Sequence, residues 1–188
     1  LAATDYPEQP KGLINVASLP SVLYNGMIAP LEKLPVKGFL WYQGENNAGK
    51  AFQYKTLFPL LINDWRKQFN QGDLPFIFTQ LSGYGPITSE PVDHFWAELR
   101  EAQTEALSLN NTGMAVTIDV GDPYDIHPLN KQAVGKRLAI QAMKTVYDEN
   151  KLNTSPLYQS MKLSGDSIRI KFSNSTKGLI TKNGTVPK

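Results

Sequence analysis

Apolar residues along the chain fall into short runs and helical stripes that take turns. The clearest run is Val36-Lys37-Gly38-Phe39-Leu40-Trp41-Tyr42. Bounded by turn residues, it predicts a strand buried on both faces. It changes abruptly into Gln43-Gly44-Glu45-Asn46-Asn47, and a helical pattern follows. Over 51–68, Leu57, Leu61, Trp65 and Phe69 fall four apart on one face, with Phe58 and Ile62 widening it. Residues 74–81 predict a second buried strand that ends in Gln80, Ser82, Gly83 and Gly85. A loop follows, and then Phe95, Leu99, Ala102, Ala106 and Leu109 form an amphipathic stripe. Trp96, Glu98 and Arg100 alternate with that stripe as its solvated side. Residues 114–120 predict a third strand, and a helix over 130–147 faces inward through Val134, Leu138 and Ala142. Strands alternating with helices imply a parallel sheet covered on both faces.

The flanks read differently. Residues 1–20 carry Tyr6-Pro7, Gln9-Pro10 and Leu19-Pro20 without any period, as in a linker or surface strap. Residues 21–31, with a central Asn25-Gly26, could turn as a hairpin, but the stripe of Ser21, Leu23/Tyr24 and Met27/Ile28 favours a short helix closed by Pro30. From about residue 151 to 188, alternating segments at Met161–Leu163, Ser167–Phe172 and Gly178–Ile180 predict antiparallel hairpins, too few for a complete sandwich. The chain therefore divides into a strap (1–20), an α/β part (21–150) and the start of a β-rich region (151–188).

Composition narrows the chemistry. The 188 residues are 41% hydrophobic and 19% charged, a globular balance, and the net charge of +2 gives no reason to expect a nucleic-acid partner. With no Cys and two His, thiolate chemistry is excluded and a multi-His metal centre is not expected. No run is long enough to span a bilayer. The start at Leu1, without a basic leader, reads as the middle of a longer protein.

His127 is the strongest single candidate. It precedes Pro128, which pushes it toward extended geometry, and residues two apart in an extended segment share a side. Asp125 and His127 then project together, as a general base and its orienting carboxylate require. Asp119 and Asp122 are rival carboxylates. The other candidate is the turn Gln43, Gly44, Glu45 and Asn46, where a carboxamide and glycine backbone at a strand end suit an oxyanion site. Glu45 would hold nearby backbone, and the Asn pair also suits helix capping. His94 reads as a surface histidine near a helix start.

Several blocks in order resemble the sialate O-acetylesterase branch of the SGNH serine hydrolases. These are Leu23-Tyr24-Asn25-Gly26-Met27-Ile28-Ala29-Pro30-Leu31, Trp41-Tyr42-Gln43-Gly44-Glu45-Asn46-Asn47-Ala48, Phe58-Pro59-Leu60-Leu61-Ile62-Asn63-Asp64-Trp65-Arg66, Trp96-Ala97-Glu98-Leu99-Arg100-Glu101-Ala102-Gln103 and Asp125-Ile126-His127-Pro128. The resemblance implies a three-layer α/β/α, flavodoxin-like domain with a parallel sheet, and metal-free, cofactor-free Ser-His(-Asp) hydrolysis of O-acetylated sugars. On the matching positions His127 is the base, Gln43 the side-chain oxyanion donor and Asp125 the carboxylate. Asn25, Gln80 and Arg100 are candidate substrate contacts. The superfamily usually sets Asp three residues before His, where Tyr124 stands here, so a Ser–His dyad is the alternative to a triad. The family's Gly-[Asp/Gln]-Ser-Asn nucleophile block has no counterpart in this chain, and Ser18, Ser21 and Ser82 lack its context. The implied partner is therefore an N-terminal half of the same enzyme or a second chain. Family habit implies secretion or a periplasmic location. The competing function is a non-catalytic carbohydrate-binding or structural remnant.

Overall fold

The computed structural model describes residues 19–90, 92–149, 154–175 and 178–179. Residues 1–18 of the expected strap (1–20) and Ile180 of the last expected β segment (178–180) lie outside them. Three parallel strands, β1 (Phe39–Trp41), β2 (Phe76–Thr79) and β3 (Thr112–Ala115), form one sheet in the order β1-β2-β3. Helices α1 (Ala51–Phe69) and α2 (Phe95–Glu105) connect them, and α3 (Lys131–Tyr147) follows. Side chains alternate along a strand. Phe76 and Phe78 of β2 join Phe58 and Ile62 of α1 and Leu99, Ala102 and Ala106 in one core. On the opposite face α3 packs on β2 and β3. A Cβ on Gly113 would lie 3.0 Å from Ile77 Cδ1 and 3.1 Å from Thr145 Oγ1, so glycine there lets α3 approach. The result is the expected α/β/α layering.

Several expectations shift in detail. Among the described residues β1 is an edge strand. Leu40 is in register with Ile77, which in turn pairs with Gly113, yet α3 stops short of it and Leu40 is 66% exposed. Its burial on both faces is therefore corrected to one. That covered face is aromatic, with Phe39 and Trp41 packed edge-on against Trp65. In α1 the buried stripe is Ala51, Tyr54, Phe58, Ile62, Arg66 and Phe69, and Leu57 faces out. Steps of four drift around a 3.6-residue turn, so the inward set is rotated by one position. Arg66 is buried because its guanidinium donates to the carbonyls of Leu74 (2.9 Å), Asn110 (2.7 Å) and Asn111 (3.3 Å). It ties together the turns that lead into β2 and β3. In α2, Trp96 is buried in place of Phe95, its indole N–H donating to Ser82 O at 2.7 Å. β3 begins and ends earlier than expected, and Ile118–Val120 is a 3-10 turn.

Among the described residues the β region forms one antiparallel hairpin, β4 (Leu157–Ser164) with β5 (Ser167–Ser173). Met161 pairs with Ile170 and Leu163 with Ile168, all exposed. No described helix is long and apolar enough to cross a membrane.

Candidate active site

Parallel strands in an open sheet place their following loops at one end, where ligands gather. Gln43 follows β1, Gln80 to Gly85 follow β2, and Asp125 and His127 lie between β3 and α3. All therefore sit on one rim. The first residue of α3 also reaches toward the end of β1, with Lys131 Nζ 5.2 Å from the Tyr42 ring centroid.

Asp125 and His127 form a local unit. The Asp125 carboxylate accepts from the His127 backbone N–H at 2.8 Å and faces His127 Nδ1 at 3.2 Å. The first of these contacts chiefly holds the Asp125 carboxyl below the usual carboxylate range. A carboxylate at Nδ1 selects the tautomer with the proton there and leaves Nε2 as the basic nitrogen. The His127 side chain is 82% exposed and open to an incoming group. The rival carboxylates are engaged elsewhere. Asp119 receives a bidentate contact from Arg137, with Nη2 to Oδ2 at 2.7 Å. Asp122 accepts from Tyr124 N at 2.8 Å, closing a turn.

Gln43 sits in a second network. Tyr54 Oη lies 3.2 Å from Gln43 Oε1 and 3.4 Å from Gln43 O. Gln43 Nε2 donates to Asn47 Oδ1 at 2.8 Å. A phenol donor at Oε1 fixes which way the carboxamide points. One Nε2 hydrogen remains for a ligand. Burial pushes the Tyr54 phenol up to about 12, so it stays a donor at any ordinary pH. Gly44 has φ +149°, a left-handed conformation suited to glycine, and a Cβ there would meet Gln103 Nε2 at 3.1 Å. Glu45 and Asn46 open the 3-10 turn Glu45–Lys50, which has no side-chain cap. Asn47 thus binds Gln43 rather than capping.

Gln103 is the residue that the sequence reading missed. It is 1% exposed, and its Nε2 donates to Gln43 O (3.1 Å) and Thr79 O (3.3 Å) while its Oε1 accepts from Leu81 N (2.9 Å). One carboxamide thereby joins the ends of β1 and β2. Its signal was present, since it stands four residues after Leu99 on the inward stripe of α2. The loops after β2 and β3 also touch, with Gly83 N donating to Ile118 O at 3.2 Å.

The remaining candidates are spread out. Gln80 Nε2 donates to Arg100 O and Thr104 Oγ1, so it braces α2. Asn25 is exposed on the helical turn Tyr24–Ile28, beside the later part of α1 rather than on the rim. His94 caps α2 by accepting from Trp96 N at 3.3 Å. No group of three or more acidic or histidine residues suited to a metal occurs among the described residues.

A family model described as SASA, carbohydrate esterase, sialic acid-specific acetylesterase, matches residues 14–144. The chain belongs to this carbohydrate esterase family. It is 39% identical over 162 residues to the sialate O-acetylesterase of Mus musculus, covering 76% of this chain and 30% of that protein. With the sialate O-acetylesterase of Homo sapiens it shares 35% over 185 residues, 87% of this chain and 35% of the relative. Among solved structures, a carbohydrate acetylesterase from Xanthomonas citri superposes with a TM-score of 0.76 at 41% identity, over 82% of this chain and 36% of that one. The chain thus spans about a third of the length of these relatives.

Proposed function

We propose that this chain carries the base and oxyanion side of a carbohydrate O-acetylesterase site. The acyl acceptor is a serine supplied by a segment outside these residues. The reading is supported by the Asp125–His127 contact in the loop after β3 and by Gln43 in the loop after β1, which has one amide hydrogen to spare. In the proposed reaction His127 Nε2 takes the proton of the attacking serine. The serine oxygen bonds to the acetyl carbon, and Gln43 Nε2–H meets the oxyanion. Collapse breaks the ester bond, and His127 returns the proton to the departing sugar hydroxyl. Water, deprotonated by the same nitrogen, then releases acetate and restores the serine.

Two features support a complementary segment. Among the described residues no strand pairs the outer edge of β1, which folded proteins ordinarily pair or cover, and Leu40 is an exposed apolar side chain beside it. No hydroxyl bonds His127 among the described residues; Ser82 is buried, and its hydroxyl bonds Tyr42. The apolar face of the β4–β5 hairpin fits the start of a further β domain. A secreted or periplasmic location is proposed on family grounds.

The test is acetyl release from p-nitrophenyl acetate. The purified chain should give none above an His127→Ala control. His127-dependent turnover by the chain alone would refute the division of the site.

A further inference from the structure

One contact crosses from the start of α3 to the end of β1. Lys131, the first residue of α3, holds its ammonium over the Tyr42 ring, with Nζ 5.2 Å from the centroid. Tyr42 directly precedes Gln43, and Lys131 follows His127 by four residues. The two groups that the proposed reaction needs are thus carried on the two segments that this contact joins. Tyr42 also meets the loop after β2, because its hydroxyl is paired with the Ser82 side chain. One ring thereby gathers the ends of β1 and β2 and the start of α3.

Lys131 stands where its own helix disfavours it. The first turn of a helix carries partial positive charge, and a cation there is repelled. No acidic residue in the first turn of α3 compensates. The compensation comes from the rim. The Tyr42 face attracts a cation through its quadrupole. The Asp125 carboxyl, held low chiefly by the His127 N–H, is lowered by the Lys131 charge as well. The site, and not the helix, accounts for a cation at this position. Arg100 does not share the place. It is half-buried on α2 and walls a cavity with Gly83, Tyr84 and Pro123, between the loops after β2 and β3.

We propose that Lys131 is a positioning residue: through Tyr42 it holds the loop that carries His127 against the strand end that carries Gln43. That role rests on the esterase reading for what the two groups do. The docking itself needs no serine nucleophile, so it is measurable on the full chain.

The experiment compares NMR spectra of the isotope-labelled 188-residue chain with those of Lys131→Met, Lys131→Arg and Tyr42→Leu. Met keeps an unbranched stem and removes the charge, whereas Arg keeps the charge and stacks on aromatic faces. In the native chain the Lys131 ε-methylene protons should lie upfield of those of an ordinary lysine, shielded by the Tyr42 ring. Tyr42→Leu should return them to the ordinary position. Lys131→Met should move the Gln43 side-chain amide signals and speed hydrogen exchange at the His127 backbone amide by about two- to fivefold, the worth of an exposed cation–π contact. Lys131→Arg should keep both near native, a charge-dependent rescue that a merely structural residue would not give. Lys131 is exposed, so its variants should fold; if Tyr42→Leu does not, the contrast between Met and Arg decides. Unshielded Lys131 protons in the native chain, an Arg variant as altered as the Met variant, or a Met variant with native Gln43 and His127 signals would each overturn the positioning role. Failure of the esterase reading in an activity assay would leave these signals standing, so the two can fail separately.

Discussion

Replacing Gln103 by Leu keeps the side chain's bulk and removes three hydrogen bonds in the interior of the rim. The heaviest loss is at Leu81 N, a backbone donor in a buried residue whose acceptor is Gln103 Oε1. An unsatisfied buried donor costs about 1–3 kcal/mol, and weakening two carbonyl contacts adds about 1 kcal/mol. The expected destabilisation is about 2–4 kcal/mol. For a domain of this size that lowers Tm by about 4–16 °C. Gln103→Glu sharpens the test. At neutral pH its carboxylate would face the carbonyls of Gln43 and Thr79 as a second acceptor, so it should be worse than Leu. Burial and those carbonyls raise its folded-state pKa above the unfolded value. Stability is then fully present below the unfolded pKa and is lost as pH rises through the folded one, so acidification should restore part of it. The assays are urea unfolding at pH 7 and 5, with amide spectra of Gln43 and Gly44 reporting on the rim. Gln103→Leu within about 0.5 kcal/mol of the native chain, or Glu no worse than Leu at pH 7, would refute the bridging role.

Other expectations follow from single contacts. Arg66→Ala should cost about 2–4 kcal/mol, since three backbone carbonyls lose their shared donor; denaturant midpoints check it. Gly121→Ala should fail to fold normally, because the added Cβ would lie 1.9 Å from Gly83 O; well-dispersed native-like spectra would contradict this. Tyr54, buried with its pKa raised to about 12, must ionise on unfolding at high pH. Its stabilising contribution is therefore intact below pH 10 and lost between pH 10 and about 12, by about 2–3 kcal/mol in total. Tyr54→Phe should flatten that alkaline limb in pH-dependent urea titrations.

What the residue pattern made legible was whatever depended on periodicity and strand-end chemistry. β2, buried on both faces, and α3 follow from apolar spacing. Asp125 and His127 do meet, but through a bend at Ile126 and His127 that the Asp125 carboxylate closes by accepting from His127 N, and not through the extended segment expected from Pro128. Leu40 could not be read, because an edge strand is distinguished from a central one only by its neighbours. Spacing alone puts Trp96 with Glu98 and Arg100 on the side of α2 away from the apolar stripe. It turns in because Ser82 O accepts its N–H. The role of Arg66 was hidden for a related reason, since its carbonyl partners come from two distant turns. Gln103 shows the same limit at the site. A carboxamide on an apolar stripe signals a buried partner, but only the fold says which.

The central claim is that His127 serves as the base of an acetylesterase once the rest of the site is present. Its most direct test is a chimera in which residues 14–144 replace the matching part of the Xanthomonas citri carbohydrate acetylesterase. The measurement is acetate release from an O-acetylated sugar. The chimera should turn over, and His127→Ala should reduce its rate by about 10²–10⁴-fold while leaving its folding unchanged. An active chimera whose His127→Ala variant stays within threefold of it would contradict the account.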